Sequence, residues 1–164
     1  MDTVTDVGET DAAPDAVLAA AGLALGEAIL GAIELWAENQ AVSLGGAALA
    51  DDGRAVGAEI GVRIAPELLE LLVADVDSQR GTPLTILRAA HGPLTELLRV
   101  HRVVELRRDP ADVAAQPDDV FAIAPRSFSD LGPDVHDAGI RWGVAKAFAH
   151  RARHQRRPDE SDGA

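Results

Sequence analysis

The sequence predicts a single α+β domain, in which an antiparallel sheet of about four strands packs against three to four helices. A length of 164 residues suits one domain with its own hydrophobic core. The hydrophobic period changes from 3.6 to 2 within residues 41–64, which is typical of a helix followed by strands. Two further runs, residues 100–107 and 120–124, are short and rich in valine or other apolar residues, as strands often are.

A long helix is predicted at residues 14–39. Pro14 suits the first position of a helix, and Asp15 follows it in the first turn, where the helix dipole favours a carboxylate. The apolar residues recur with a helical period and share one face: Leu18, Ala21, Leu25, Ala28, Ile29, Ile33 and Trp36. A row of three glutamates, Glu27, Glu34 and Glu38, lies on the opposite face.

A β-hairpin is predicted at residues 41–64. Apolar and polar or small residues alternate strictly from Ala55 to Ile64, so that one face would be apolar. The preceding residues 51–54 have the Asp-Gly chemistry of a tight turn. Residues 41–49 would form the other, weaker strand.

The remaining pattern completes the domain. A helix would start at Pro66, another at about Leu84 with an interruption at Gly92-Pro93, and a final helix would run over residues 134–154. Polar termini predict a disordered acidic arm at 1–13, a single domain at 14–155 and a disordered tail at 156–164. In element order the chain resembles the small acidic chaperones of type III secretion and the roadblock-type dimer modules.

The charge distribution argues against two classes of partner. The net charge is −12, which opposes binding to nucleic acid, although residues 138–158 carry six cations and no acids. The apolar run Val17–Trp36 is long enough to cross a bilayer, but Glu27 and Glu34 interrupt it and no positive segment precedes it. We therefore expect a cytoplasmic protein without membrane attachment.

No motif of catalysis, cofactor binding or metal binding stands out. The sequence contains no Walker A, GxGxxG, GxSxG or HExxH pattern and no cysteine. His150 and His154 have the i, i+4 spacing of two metal ligands, but arginines surround them and no third ligand is near in sequence. The sequence therefore assigns no catalytic residue, no cofactor and no metal, which favours a protein without enzymatic activity but leaves an enzyme open within the ligand-binding alternative below.

One segment could nevertheless bind a small molecule or an anion. Residues 126–137 combine a guanidinium, hydroxyls and a histidine just before and inside the start of the last helix. The candidate ligand-binding residues are Arg126, Ser127, Ser129, His136 and Trp142. The alternative interpretation is structural, with Ser and Asp capping the helix. A concave pocket lined by these residues would favour the ligand.

The last helix predicts self-association. Val135, Ala138, Trp142, Ala145 and Ala149 share one face, and a second apolar row lies more than 100° away. A helix that is apolar on two sides needs two partners, and one of them can be another subunit. The candidate interface residues are Ile140, Val144, Phe148, Arg151 and Arg153, with the two arginines expected to meet the glutamate row of the partner copy.

These observations predict a non-catalytic protein-interaction, adaptor or chaperone-like domain that acts as a homodimer and binds another protein. The alternative function is a small-molecule or anion-binding domain, with or without enzymatic activity, that uses residues 126–137.

Overall fold

The part of the chain that the structure describes is almost entirely helical. The computed structural model describes residues 13–73, 83–103 and 124–156, and no strand occurs among them. The prediction of an α+β fold with a four-strand sheet is therefore wrong. The resemblance in element order to type III secretion chaperones and roadblock-type modules depended on those strands and is not supported. The helices are α1 (Pro14–Gly45), α2 (Ala50–Val73), α3 (Pro83–Ala89), α4 (His91–Val100) and α5 (Pro133–Arg156).

The first two helices form an antiparallel hairpin where a β-hairpin was expected. The helix α1 continues past Asn39 to Gly45, and Gly46 then adopts a positive φ of 92° that turns the chain. A short 3-10 turn, Ala47–Leu49, leads directly into α2. The residues expected to form the second strand lie in the first four turns of α2, and the Asp-Gly sequence lies in its first turn.

Burial explains why residues 55–64 form a helix. The buried residues of α2 recur every three or four positions: Gly53, Gly57, Ile60, Gly61, Ile64, Leu68 and Leu72. The expected alternation required Val62 to share a buried face with Ile60, whereas Val62 is 79% exposed. The strand-like pattern depended on counting the glycines as part of a solvent face, although they lie against α1.

Glycines let the backbones of α1 and α2 approach closely. A Cβ on Gly57 would lie 2.6 Å from the Cα of Glu34 and 3.0 Å from the carbonyl oxygen of Ile33. A Cβ on Gly53 would lie 2.6 Å from the Cβ of Ala41. A larger residue at either position would have to push the helices apart, so the hairpin depends on these small residues.

A proline lies inside α2 rather than at its beginning. Pro66 was expected to start a separate helix, but the helix passes through it. Pro66 lacks an N–H and so leaves the carbonyl of Val62 without its intrahelical partner. Because both residues are exposed, water can satisfy that carbonyl.

The other helices pack around this hairpin. The helix α4 packs on α2 and α1 through Leu94 and Leu98, and α5 packs along α1 in the antiparallel direction. The break between α3 and α4 falls at Ala90, so Gly92-Pro93 lies in the first turn of α4, where a missing N–H costs little. The final helix was predicted correctly to within two residues at each end.

Several predictions fall partly or wholly outside the described residues. They concern the acidic arm up to residue 12, the C-terminal tail beyond residue 156 and the strand at 120–124, of which only Ala124 is described. Of the strand expected at 100–107, residues 100–103 are described: Val100 ends α4, and the next three residues are not in a strand.

Within the described residues, α1 has the length and mean hydropathy of a membrane-spanning helix. The buried core helix of a soluble protein meets the same criterion. One side of α1 packs on α2 and α5, while the side chains of Glu27 and Glu34 are exposed to solvent. The cytoplasmic location stays a prediction.

Candidate functional site

The helix α5 has one face packed against its own chain. Val135, Ala138, Ala145 and Ala149 are buried there, as the helical period predicts. Trp142 is half-buried between them, and its indole Nε1 donates a hydrogen bond to the carbonyl oxygen of Leu72, 3.0 Å away. This face therefore already has its partners.

The opposite face of α5 carries three large apolar side chains that are exposed. Ile140 is 55% exposed, Val144 is 64% exposed and Phe148 is 43% exposed. They lie on successive turns of the helix, so they form one continuous row. This second apolar row, which the sequence predicts, is therefore only partly covered by the rest of its own chain.

A charged residue lies at each end of this row. Asp137 precedes Ile140 by three positions, and Arg151 follows Phe148 by three positions, which places both on the same face. Both residues are exposed, and within the described part of the chain neither side chain has an ion-pair or hydrogen-bond partner. We call the five residues, Asp137, Ile140, Val144, Phe148 and Arg151, the α5 outer row.

Arg153 has a different role from the one expected. Its Nη2 lies 2.9 Å from the Oδ1 of Asp15, so it joins the C-terminal part of α5 to the N-terminus of α1 within the same chain. The expected meeting of Arg153 with a partner's glutamates would have to break this contact.

The glutamate row of α1 is also partly engaged within the chain. Glu38 accepts two hydrogen bonds from the guanidinium of Arg54, each 3.0 Å long. Glu27 and Glu34 are exposed. This ion pair contributes to the α1–α2 hairpin and leaves one member of the row less available to a partner.

Polar groups at the start of the segment 126–137 form hydrogen bonds with one another. The backbone N–H groups of Arg126 and Ser127 donate to the same oxygen of Asp130, at 2.7 and 3.1 Å. The hydroxyls of Ser127 and Ser129 are 2.6 Å apart and bond to each other. The carboxylate of Asp130 therefore occupies the position that an anion would take on these N–H groups.

The two remaining candidate ligand residues do not complete a site. His136 is exposed in the first turn of α5, and its backbone N–H bonds to the carbonyl of Gly132. The indole N–H of Trp142 is taken up by Leu72. The Ser127 and Asp130 bonds hold the short 3-10 turn Phe128–Leu131 that precedes α5, rather than the first turn of α5 itself. This arrangement fits a structural role of the segment better than ligand binding.

The histidine pair of α5 comes together as its spacing predicts. The Nε2 atoms of His150 and His154 are 3.0 Å apart, so one ring can donate to the other. Within residues 13–73, 83–103 and 124–156, no group of three or more His, Cys, Asp or Glu side chains could hold a metal ion.

A perturbed ion pair lies away from these residues, on α4. Arg99 donates hydrogen bonds of 2.8 and 2.6 Å to the carboxylate of Glu96. The bonds from Arg99 lower the pKa of Glu96 below its usual value, and the same contact raises the pKa of Arg99. Both groups are exposed, so the pair stabilises α4 locally and builds no site.

Comparison with known proteins identifies no relative: no protein-family model matches the chain, and no curated protein or solved structure is significantly similar to it. The candidate site therefore depends on its own geometry.

Sequence reasoning missed Asp137 as a member of the exposed row and the Arg54–Glu38 contact. The first could have been found on the helical wheel, since Asp137 is three positions from Ile140.

Proposed function

We propose that the protein is a non-catalytic protein-interaction domain that forms a homodimer through the α5 outer row. One observation carries the proposal. Ile140, Val144 and Phe148 are exposed on successive turns of a helix whose opposite face is already buried in its own chain. A row of this kind on a folded domain is typical of a surface that another protein covers.

The composition of the row supports a binding surface. An aromatic and two β-branched side chains form its centre, and charged residues form its ends. Protein interfaces have the same anatomy, in which apolar residues exclude water at the centre and polar residues lie at the rim. Burial of the apolar centre would supply most of the affinity.

The hydrogen bonding of residues 126–137, the alternative candidate site, favours protein binding over catalysis. The N–H groups and hydroxyls of residues 126–130 bond to Asp130 and to each other, and Trp142 bonds to α2. Groups that a substrate or an anion would need are thus used within the turn before α5 and in the contact of α5 with α2. The small-molecule or anion-binding alternative has less support.

The expected dimer is weak. The row spans about 21 Å of helix, at about 1.5 Å per residue. One pair of facing helices of this length covers less than the roughly 800 Å² per partner of a standard interface. We therefore expect a dissociation constant in the micromolar range, which suits a domain that exchanges its own copy for another protein partner.

Sedimentation equilibrium over a wide range of protein concentration tests the proposal. The full chain should approach the dimer mass at high micromolar concentration, and Phe148→Asp should remain a monomer because it places a charge in the apolar centre. The matched control is Val62→Asp on α2, which also adds a carboxylate at an exposed apolar residue and should leave the dimer intact.

A monomer mass for the unchanged chain at high micromolar concentration would overturn the proposal. Dissociation of Val62→Asp to the same extent as Phe148→Asp would also overturn it. Circular dichroism should confirm that both variants keep the helical content of the original chain, and Val144→Asp provides a second variant should Phe148→Asp fail to fold.

A further inference from the structure

We propose that the two copies pair through α5 in an antiparallel arrangement, about a twofold axis at Val144, with Asp137 of each copy opposite Arg151 of the other. This inference rests on the proposed function and adds the partner's orientation and register. The occupant of the α5 outer row is then a second copy of this chain. The evidence is the symmetry of the row itself.

The spacing of the row is palindromic about Val144. Ile140 and Phe148 lie four positions before and after it, and Asp137 and Arg151 lie seven positions before and after it. A twofold axis that passes between two antiparallel helices at Val144 brings position 137 to position 151 and position 140 to position 148. A self-pairing surface must match itself under such an axis.

The charges at the two ends satisfy this requirement. In the antiparallel arrangement the negative end of each row meets the positive end of the other, and the dimer gains two ion pairs. In a parallel arrangement Asp137 would face Asp137 and Arg151 would face Arg151, which is repulsive at both ends. Charge complementarity therefore favours the antiparallel pair.

Both charges are available for this contact. Asp137 and Arg151 are exposed, and within the described residues their charged groups have no partner. Arg153, by contrast, contacts Asp15 of its own chain. The apolar residues meet in matched pairs as well, with Ile140 against Phe148 at two places and Val144 against its copy at the centre.

One flank of the row leaves room for a second helix, whereas the exposed Arg141 lies on the other flank. Ala147 is exposed beside the row, and a Cβ built on Gly143 meets nothing within 4 Å. Small side chains at a helix surface allow a neighbouring helix to approach. On the flank of Ala147 and Gly143, the row is therefore the most prominent part of α5.

Disulfide trapping tests the orientation directly, because the chain contains no cysteine of its own. The full-length variants Asp137→Cys and Arg151→Cys are oxidised separately and as a mixture, and the products are separated on a non-reducing gel. In the antiparallel dimer the mixture should form a covalent dimer that contains one chain of each variant. Either variant alone should not, since its two cysteines would lie about 21 Å apart along the helices, far beyond disulfide reach.

Charge exchange tests the same contact without a covalent bond. Asp137→Arg and Arg151→Glu should each raise the dissociation constant by about tenfold, because a reversed charge acts twice in a twofold dimer even though one rim pair is weak. The double variant, which exchanges the two charges, should return the constant to within about threefold of the original. The control variants Glu67→Arg and Arg88→Glu make the same changes of net charge on α2 and α3, and should change it little.

The outcomes separate the register from the proposed function. Covalent dimers of either variant alone, or single charge reversals that do not weaken the dimer, would overturn the antiparallel pairing while the homodimer stands. A chain that stays monomeric at high micromolar concentration would overturn both. A covalent dimer in the mixture only, together with recovery in the double variant, supports the inference.

Discussion

The indole Nε1 of Trp142 donates a hydrogen bond to the backbone carbonyl oxygen of Leu72, at 3.0 Å. Leu72 lies in the last turn of α2, where carbonyl groups have no partner within the helix. The same carbonyl lies close to α1, since a Cβ on Gly22 would approach its oxygen to 2.5 Å. One backbone group therefore contacts α1 and α5 at the end of α2, and fixes the face of α5 that turns inward.

Trp142→Phe should lower the free energy of unfolding by about 1 kcal/mol, because it removes this hydrogen bond and keeps an aromatic ring. Urea denaturation followed by circular dichroism measures the change. The control is Lys146→Ala, which removes the ammonium group that lies 5.0 Å from the Trp142 ring and should cost less than about 1 kcal/mol. Equal stability of Trp142→Phe and the original chain would show that water replaces the indole without loss.

Gly57→Ala should destabilise the protein by about 1–3 kcal/mol, because the added methyl group meets backbone atoms of α1 that cannot move aside. Gly31→Ala provides the matched control within α1, since a Cβ there meets nothing within 4 Å. It should stabilise the protein by up to about 1 kcal/mol through helix propensity. Thermal unfolding of the two variants should thus shift the midpoint in opposite directions, and shifts of the same sign would contradict the close approach of α1 and α2.

Arg153→Ala should change the stability of the monomer and leave self-association as it is. Its guanidinium contacts Asp15, and both groups are partly exposed, so the loss should be about 0–1 kcal/mol. Sedimentation equilibrium of Arg153→Ala should give the same dissociation constant as the original chain, in contrast to Arg151→Glu. A large rise in the constant for Arg153→Ala would assign Arg153 to the interface after all.

In residues 50–73 the spacing of apolar residues by four positions predicts the observed helix, whereas the alternation predicts a strand that does not form. Ile60, Ile64, Leu68 and Leu72 recur every four positions and all are buried. The apparent alternation over residues 55–64 arose because apolar residues happened to fall at every second position, although one of them, Val62, lies on the solvent side. Glycine was the misleading residue type, since it reads as a turn or a polar face in sequence and serves here as a contact surface between helices.

The two apolar faces of α5 could be predicted because the helical period of its hydrophobic residues defines them, although the period alone does not decide which face the chain buries. The partner of a charged side chain could not be predicted in the same way. Arg151 and Arg153 are the same residue type two positions apart, yet only the packing of α5 against α1 decides that Arg153 reaches Asp15. Such long-range contacts depend on how the helices cross, which local periodicity does not encode.

The homodimer also predicts that thermal stability depends on protein concentration. Association of folded chains stabilises the folded state by mass action, since the unfolded chain lacks the α5 outer row as a surface. Because the free folded monomer rises only as about the square root of the total once the dimer dominates, a hundredfold rise in total concentration above the dissociation constant should add about 1 kcal/mol. For a chain of this size that corresponds to about 2–4 °C in the unfolding midpoint. Differential scanning calorimetry at two total concentrations a hundredfold apart measures the shift.

Phe148→Asp should unfold at the same temperature at both concentrations, whereas Val62→Asp should keep the shift of the original chain. Midpoints of the original chain that do not change with concentration would mean that its stability is that of the monomer and that the exposed row contributes nothing to it.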